Sequence, residues 1–387
     1  MRDSGLMDVN LDAFTRNYAQ LCAMAPGVRL APVLKADAYG LGMMETGRAL
    51  GAMADDFFVA WPGEGAALRS VLPKARIFIL HGCHPGQEGI CAQHNLVPVH
   101  NTLEQARRWA AICPDRPCAL HVDTGMSRLG LEQAELEREH AMLAGLKLEL
   151  VMSHLACADD PQSPHNAHQR ERFLAATKLF PGVPRSLSAS GGLFLGPDYH
   201  FEMVRPGIAL SGHSPGHHPQ SAALETAVRV EVPVLCVHDV APGTGVGYGL
   251  SWSAQRPTRL ATVGIGYADG FLRALSPGGG KAGASLWLGK QRLPVVGKVS
   301  MDSIIVDATA LPEGALAPGQ MLTLVGPQQS ADELAALAGT IGYEVLLALG
   351  THLRRRYWQA GALMGETPSA AQTLAAVRQD VGATHSA

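Results

Sequence analysis

The first arrangement in this chain that points to chemistry is APVLKADAYGLG, residues 31–42, where a lysine and a tyrosine follow directly on an apolar run. A lysine at the end of a buried strand is costly unless it is paired, neutralised or made covalent. Schiff-base chemistry needs a neutral amine of that kind. A lone Lys35 reads better as a side chain snorkelling from a strand rim. Tyr39, four residues on in a glycine-bounded turn, has a hydroxyl placed to reach an anion.

What must hold these groups is a strand followed by a helix, many times over. VRLAPVLK, DDFFVAW, ARIFILHG, LVPVH, CALHVD, LELVMSHL, PRSLSAS and GIALSG read as strands between about residues 28 and 212, and helix-like segments such as TLEQARRWAAI and NAHQRERFLAATKLF separate them. Strand–helix repetition means parallel pairing, and eight strands fit a (β/α)8 TIM-like barrel with its reactive groups at the C-terminal strand ends. An open doubly wound sheet would carry a glycine-rich phosphate turn after its first strand. This chain has Lys-Ala-Asp-Ala-Tyr there instead.

After about residue 220 the texture changes to β-rich segments punctuated by Gly and Pro, which predicts a second, mostly antiparallel domain. The expected organisation is a barrel over 8–222, a C-terminal β domain over 223–365 and a small, polar tail over 366–387. The early segment MDVNLDAFTRNYAQLC reads first as strand, then as helix, and fits either domain. SADELAALAGTIGYEVLLAL reads as one helical segment opened by a Ser330–Glu333 capping box.

Composition excludes several classes of function. With 387 residues, 47% hydrophobic, 17% charged and a net charge of −3, the chain suits a compact enzyme and offers no electrostatic case for nucleic acid. No leader-like start and no run of eighteen apolar residues is present, so a cytoplasmic location without a membrane partner is expected. Seven scattered cysteines without a C-x-x-C pair predict reduced thiols. The histidines of HGCH (81–84) and HSPGHH (213–218) have no recognised ligand spacing, and no metal is expected.

Eight motifs resemble, in order and approximate spacing, those of the alanine racemase family: APVLKADAYGLG, HVDTGMSRLG (121–130), MSHLACAD (152–159), SLSASGGLF (186–194), VRPGIALSG (204–212), GIGYADGFLR (264–273), VVGKVSMDSIIVDAT (295–309) and YEVLLALG (343–350). The resemblance covers residues 8 to about 358. It implies fold type III, pyridoxal 5′-phosphate as cofactor, L- and D-alanine as small-molecule substrates, and a homodimer with shared active sites. In bacteria such an activity supplies D-alanine for peptidoglycan.

Carried over residue by residue, the resemblance makes Lys35 the lysine that bears the cofactor. Tyr267 matches the tyrosine that reaches the opposite face of the substrate from the other subunit. Racemisation takes a proton from one face of the α-carbon and returns one to the other, so two acid/base groups must flank it. Arg205 matches the arginine at the pyridine nitrogen, and His154 the histidine linking that arginine to the tyrosine. Tyr39, Ser190 and the backbone N–H groups of Gly207 and Ile208 fall on the phosphate positions. Arg128 falls beside the cofactor's phenolic oxygen, and Met301 with Asp302 on the pair that meets the substrate carboxylate from the second subunit.

The chain departs from the family at informative places. His121 stands where a lysine, often carbamylated, holds the arginine here numbered 128, and Asp37 stands where many members have asparagine. Asp37 either supplies the missing negative charge or caps its turn. Ala189, Ser211, Ser300 and Thr351 also differ from common residues, which leaves substrate breadth open. The rival functions are a racemase of the same family acting on serine or many amino acids, a non-catalytic pyridoxal-phosphate-binding protein, and a related decarboxylase. Tyr267, Met301 and Asp302 argue against the second, and the absence of a cysteine motif in the second domain argues against the third.

Overall fold

The computed structural model describes residues 5–367. The chain divides into two compact units: residues 12–225, and a second formed by residues up to 11 together with those from 226 onward. Strand β1 (Leu6–Asn10) therefore belongs with the C-terminal residues, whereas the sequence reading began the barrel at residue 8. The reason is pairing. β1 alternates half-buried and buried residues, with Met7 and Val9 inside, and is sandwiched between two strands of the C-terminal unit.

In the first unit, β2 (Arg29–Leu30), β3 (Asp56–Val59), β4 (Arg76–Ile79), β5 (Leu96–His100), β6 (Cys118–His121), β7 (Leu148–Met152), β8 (Arg185–Ser186) and β9 (Met203–Val204) are the eight barrel strands. β3 to β8 pair in sequence as one parallel sheet, and β2 pairs in parallel with β9. Single bridges from Val33 to Phe58 and from Ala189 to Arg205 close the remaining two seams. The result is a (β/α)8 barrel. One expectation fails: the eighth strand is Met203–Val204, and Ile208–Ser211 of GIALSG is a tight 3-10 turn. Gly207 turns the chain away from the barrel, and the N–H groups of Gly207 and Ala209 go to the Ser190 hydroxyl instead of a neighbouring strand.

Side chains alternate along a strand, so every second residue enters the barrel. Ala31, Val33, Phe58, Phe78, Val97, Val99, Ala119, Leu150, Met152 and Met203 form one apolar core there. Extending those rows by one step toward the strand ends changes their chemistry. Val33 leads to Lys35, Val99 to Asn101, Ala119 to His121, Met152 to His154 and Met203 to Arg205. The apolar layers are a plug, and the layer above them is polar.

The second unit contains β10 (Val228–Val240), the short hairpin β11 (Gly245–Val246) and β12 (Trp252–Ser253), β13 (Thr258–Val263), β14 (Ser285–Leu288), β15 (Gln291–Val296), β16 (Ile304–Asp307), β17 (Met321–Val325), β18 (Arg354–Gln359) and β19 (Ala362–Thr367). β10 serves two partners along its length, β17 over residues 230–233 and β13 over 234–240, which closes the circuit β10-β13-β16-β15-β14-β17. β1, β18 and β19 extend it, with β1–β18 the one parallel pairing among them. The helical segment expected over 330–349 is two helices, Ala331–Ala338 and Gly342–His352, bent by 108°. Gly339 takes a left-handed conformation (φ 73°) that ends the first helix. The Ser330–Glu333 capping box is present, with Glu333 N–H donating to Ser330 Oγ at 3.1 Å. Among the described residues no single helix is long and apolar enough to cross a membrane. Residues 368–387, nearly all of the segment read as a tail, lie outside the described residues, while Glu366 and Thr367 end β19.

Candidate active site

Lys35 leaves the barrel on an unusual turn. Ala36, Asp37, Ala38 and Tyr39 all have left-handed backbones, with φ between 52° and 60°. For residues with a Cβ each such step costs about 1–2 kcal/mol, so the surroundings must hold it. The Asp37 carboxylate accepts from Met43 N–H at 2.7 Å and Gly42 N–H bonds the Asp37 carbonyl at 2.9 Å. On the first residue, Ala36 N–H donates to Glu64 Oε1 at 2.8 Å. Of the two readings of Asp37, the geometry displays the cap.

Lys35 is half-buried. Burial lowers its proton affinity below the ordinary lysine value, and the charges of Arg128 and Arg205 push the same way while Glu64 opposes them. Arg205, 2% exposed, donates to Ser186 O at 2.9 Å, Ser186 Oγ at 2.5 Å and Ser153 O at 2.7 Å. Among the described residues it pairs with no carboxylate, and burial brings its pKa down to about 9, which still leaves it charged at neutral pH. Its acceptors are neutral, so its buried positive charge is left without a counter-charge.

The two histidines of this layer are neutral, each with its tautomer fixed by a neighbour. Arg205 Nη2 lies 3.4 Å from His154 Nδ1. A guanidinium only donates, so Nδ1 accepts and Nε2 carries the hydrogen. Burial and then the charges of Arg205, Arg128 and Lys35 hold His154 well below the usual histidine range. His121 Nδ1 lies 2.7 Å from Asn101 Oδ1, and the Asn101 amide donates to Leu80 O and Val99 O at 3.0 Å each. Oδ1 is therefore the acceptor and His121 Nδ1 the donor. Burial, Arg205 and Arg128 bring His121 down to about 4, so Nε2 is an unprotonated acceptor. Arg128 itself sits exposed in the loop after β6, with no hydrogen bond to it among the described residues.

Beside the lysine turn lies an anion cradle. Ser190 Oγ accepts from Gly207 N–H at 2.9 Å, and both residues are buried at the starts of short helical turns that also include Ile208. Tyr39 reaches the same place. A Cβ added at Gly207 would lie 2.1 Å from Tyr39 Oη, so glycine is what lets the phenol approach this backbone. A hydroxyl, a phenol and turned backbone N–H groups are a dianion's donor set. With the lysine and the unpaired Arg205, these residues fit pyridoxal 5′-phosphate.

Tyr267, Met301 and Asp302 stand together in the second unit. Tyr267 N–H donates to Ser300 O at 3.1 Å and Ala268 N–H to Met301 O at 2.9 Å, joining the two loops through their backbones. Gly266 permits this, because a Cβ there would sit 2.2 Å from Met301 O. Buried Asp269 accepts from Gly266 N–H at 3.0 Å. The side chains of Tyr267 and Met301 remain 44% and 51% exposed, and Asp302 is exposed as well.

Several members of the site escaped the sequence reading. Asn101 was one period-2 step beyond Val99 on an inward row and could have been found that way. His81, set aside as a loop histidine, has its proton affinity lowered by burial and by Lys35, and its buried Nδ1 has no partner among the described residues. Ser153, Ser186 and Glu64 act through tertiary contacts with no local signal. Among the described residues no three metal-ligating side chains converge.

Two family models match this chain: the alanine racemase N-terminal domain over residues 9–215 and the alanine racemase C-terminal domain over 227–357. A catabolic alanine racemase of Agrobacterium fabrum is 45% identical over 92% of this chain and 93% of its own length, and a biosynthetic alanine racemase of the same organism is 43% identical over 91% and 93%. The crystal structure of alanine racemase from Bartonella henselae, with covalently bound pyridoxal phosphate, superposes with a TM-score of 0.85 at 36% identity, covering 92% of this chain and 99% of that one. Matches on this scale, spanning both units, make this chain a member of the alanine racemase family.

Proposed function

We propose that this protein is a pyridoxal 5′-phosphate-dependent isomerase that interconverts L- and D-alanine, working in the cytoplasm as a homodimer. The observation that carries the reading is the joint presence, at one end of one barrel, of a lysine with lowered proton affinity, a buried arginine lacking a carboxylate and a cradle for a dianion. In this reading Lys35 holds the cofactor, Tyr39, Ser190, Gly207 and Ile208 hold its phosphate, Arg205 its ring nitrogen and Arg128 its phenolic oxygen. When bound, the cofactor supplies an electron sink that makes the substrate's α-hydrogen acidic.

The chain's own residues then handle the protons. Lys35 Nζ, with its cation disfavoured by burial and two arginines, takes or returns the proton on one face of the α-carbon. Tyr267 from the partner subunit serves the other face, and Met301 with Asp302 from that subunit lines the substrate carboxylate. The dimer in this reading is supported by Tyr267 and Met301, whose backbones are hydrogen-bonded together while their side chains stay exposed. Arg205 keeps its proton, so it donates a hydrogen bond without protonating the ring, which restrains the sink and favours return of the proton to the α-carbon. His154 Nε2–H, fixed by Arg205, is set to orient the tyrosine. No nucleic acid or membrane partner enters this account. A chiral assay of the purified protein over a panel of L-amino acids tests it: alanine should racemise fastest, and no racemisation of any substrate despite bound cofactor would overturn it.

A further inference from the structure

We propose that Glu64 is the positioning residue for Lys35, its carboxylate tying the strained turn that carries the lysine to the neighbouring barrel segment. Glu64 lies in the first turn of the helix Pro62–Arg69, and an acidic residue there ordinarily caps its own helix. One oxygen does so: Oε2 accepts from Trp61 N–H at 3.0 Å and from Ala60 N–H at 2.8 Å, just beyond β3. The other oxygen is not needed for a cap. Oε1 accepts from Ala36 N–H at 2.8 Å, the residue that follows Lys35 and opens the left-handed run.

The consequence is mechanical. Four successive left-handed residues would relax if released, and the run is gripped at Ala36 by Glu64 and from Asp37 to Met43, beyond its end, by the Asp37 carboxylate. Loss of the Glu64 grip orphans Ala36 N–H and frees the backbone immediately beside the amine. A lysine side chain anchored to a shifted Cα no longer meets its target in line, and misplacement by an ångström costs rate more than binding. The negative charge of Glu64 also opposes the effect of Arg128 and Arg205 at Lys35.

This inference rests on the reading of Lys35 as a proton-transfer group, and its test separates the two. Wild-type, Glu64→Ala and Glu64→Gln enzymes are compared for kcat per bound cofactor, KM for alanine, and hydrogen–deuterium exchange of the segment 35–42. Glu64→Ala should lower kcat per bound cofactor about 30- to 100-fold with KM changed less than about threefold. Exchange of that segment should quicken about tenfold or more. Glu64→Gln, whose single carbonyl oxygen keeps one of the two anchors, should fall between, with a loss of about 3- to 10-fold; it also decides the matter if Glu64→Ala does not fold. Wild-type kcat per bound cofactor in either variant, or unchanged exchange, overturns the proposal. A wild-type enzyme that racemises nothing would remove the role of Lys35, while the exchange still decides whether Glu64 holds the turn.

Discussion

The two units treat their candidate chemical groups in opposite ways. The barrel, Arg128 apart, draws them inward: Arg205 is 2% exposed, His121 and His154 are held neutral by burial, and each of these three is bonded to a named neighbour. The C-terminal unit fixes only the backbone under Tyr267 and Met301 and leaves their side chains in the open. Groups of the first kind have their electrostatics set by their own chain. Groups of the second kind have a bonded backbone and open side chains, which is compatible with the shared active site proposed above.

Substitutions on the two sides should therefore fail differently. Lys35→Ala has the largest effect: loss of the attachment point and of one base should cut kcat by about 10³-fold or more, measured by chiral chromatography. Tyr267→Phe should cut kcat by about 10²- to 10⁴-fold yet leave the thermal midpoint within about 1 °C of wild type, because the lost hydroxyl belongs to a half-exposed side chain. A large drop in midpoint would mean that Tyr267 is structural and would blur the contrast.

Arg205→Lys should do what Tyr267→Phe does not. A lysine lacks the fork by which Nη1 reaches Ser186 O and Oγ while Nη2 reaches Ser153 O, and the acceptors left unserved should lower stability by about 2–4 kcal/mol in urea unfolding as well as reduce turnover.

The smallest effect at neutral pH comes from His100, which faces out of the barrel toward Trp109 with neither ring nitrogen bonded among the described residues. Burial brings its folded pKa down to about 3, against about 6.5 in an unfolded chain. The unfolded state binds the extra proton, so this contribution to stability is fully present above pH 6.5 and declines as pH falls toward 3. His100→Leu should flatten the acid side of the stability–pH curve, read as urea midpoints from pH 7 to 4. An unchanged slope would show that His100 does not report the barrel's burial of neutral imidazoles.

How far the sequence reached follows the same division. Lys35 was legible as the end of an apolar strand, whereas His121, His154 and Arg205 came from the family resemblance, and their shared position one alternation step past an apolar layer is a finding of the structure. The eighth strand was misplaced because GIAL is as apolar as a strand, and only the tertiary demand of Ser190 for two N–H groups makes it a turn. The helix over 330–349 broke at Gly339, a position where glycine was visible but its left-handed backbone was not. Glu64 was not singled out in the sequence. Its second oxygen reaches a residue 28 positions earlier, a contact that no local pattern encodes. Asp37, open in the sequence, is seen capping Met43, and the neutral His121 bonds Asn101.

The central claim is that each active site joins Lys35 of one subunit to Tyr267 of the other. Mixing inactive Lys35→Ala and Tyr267→Phe enzymes under conditions that exchange subunits tests it most directly. A shared site predicts recovery of about a quarter of wild-type activity, since about half the dimers are hybrids and each hybrid has one intact site. If both residues act within one subunit, every hybrid site remains defective, and no recovery would contradict the account.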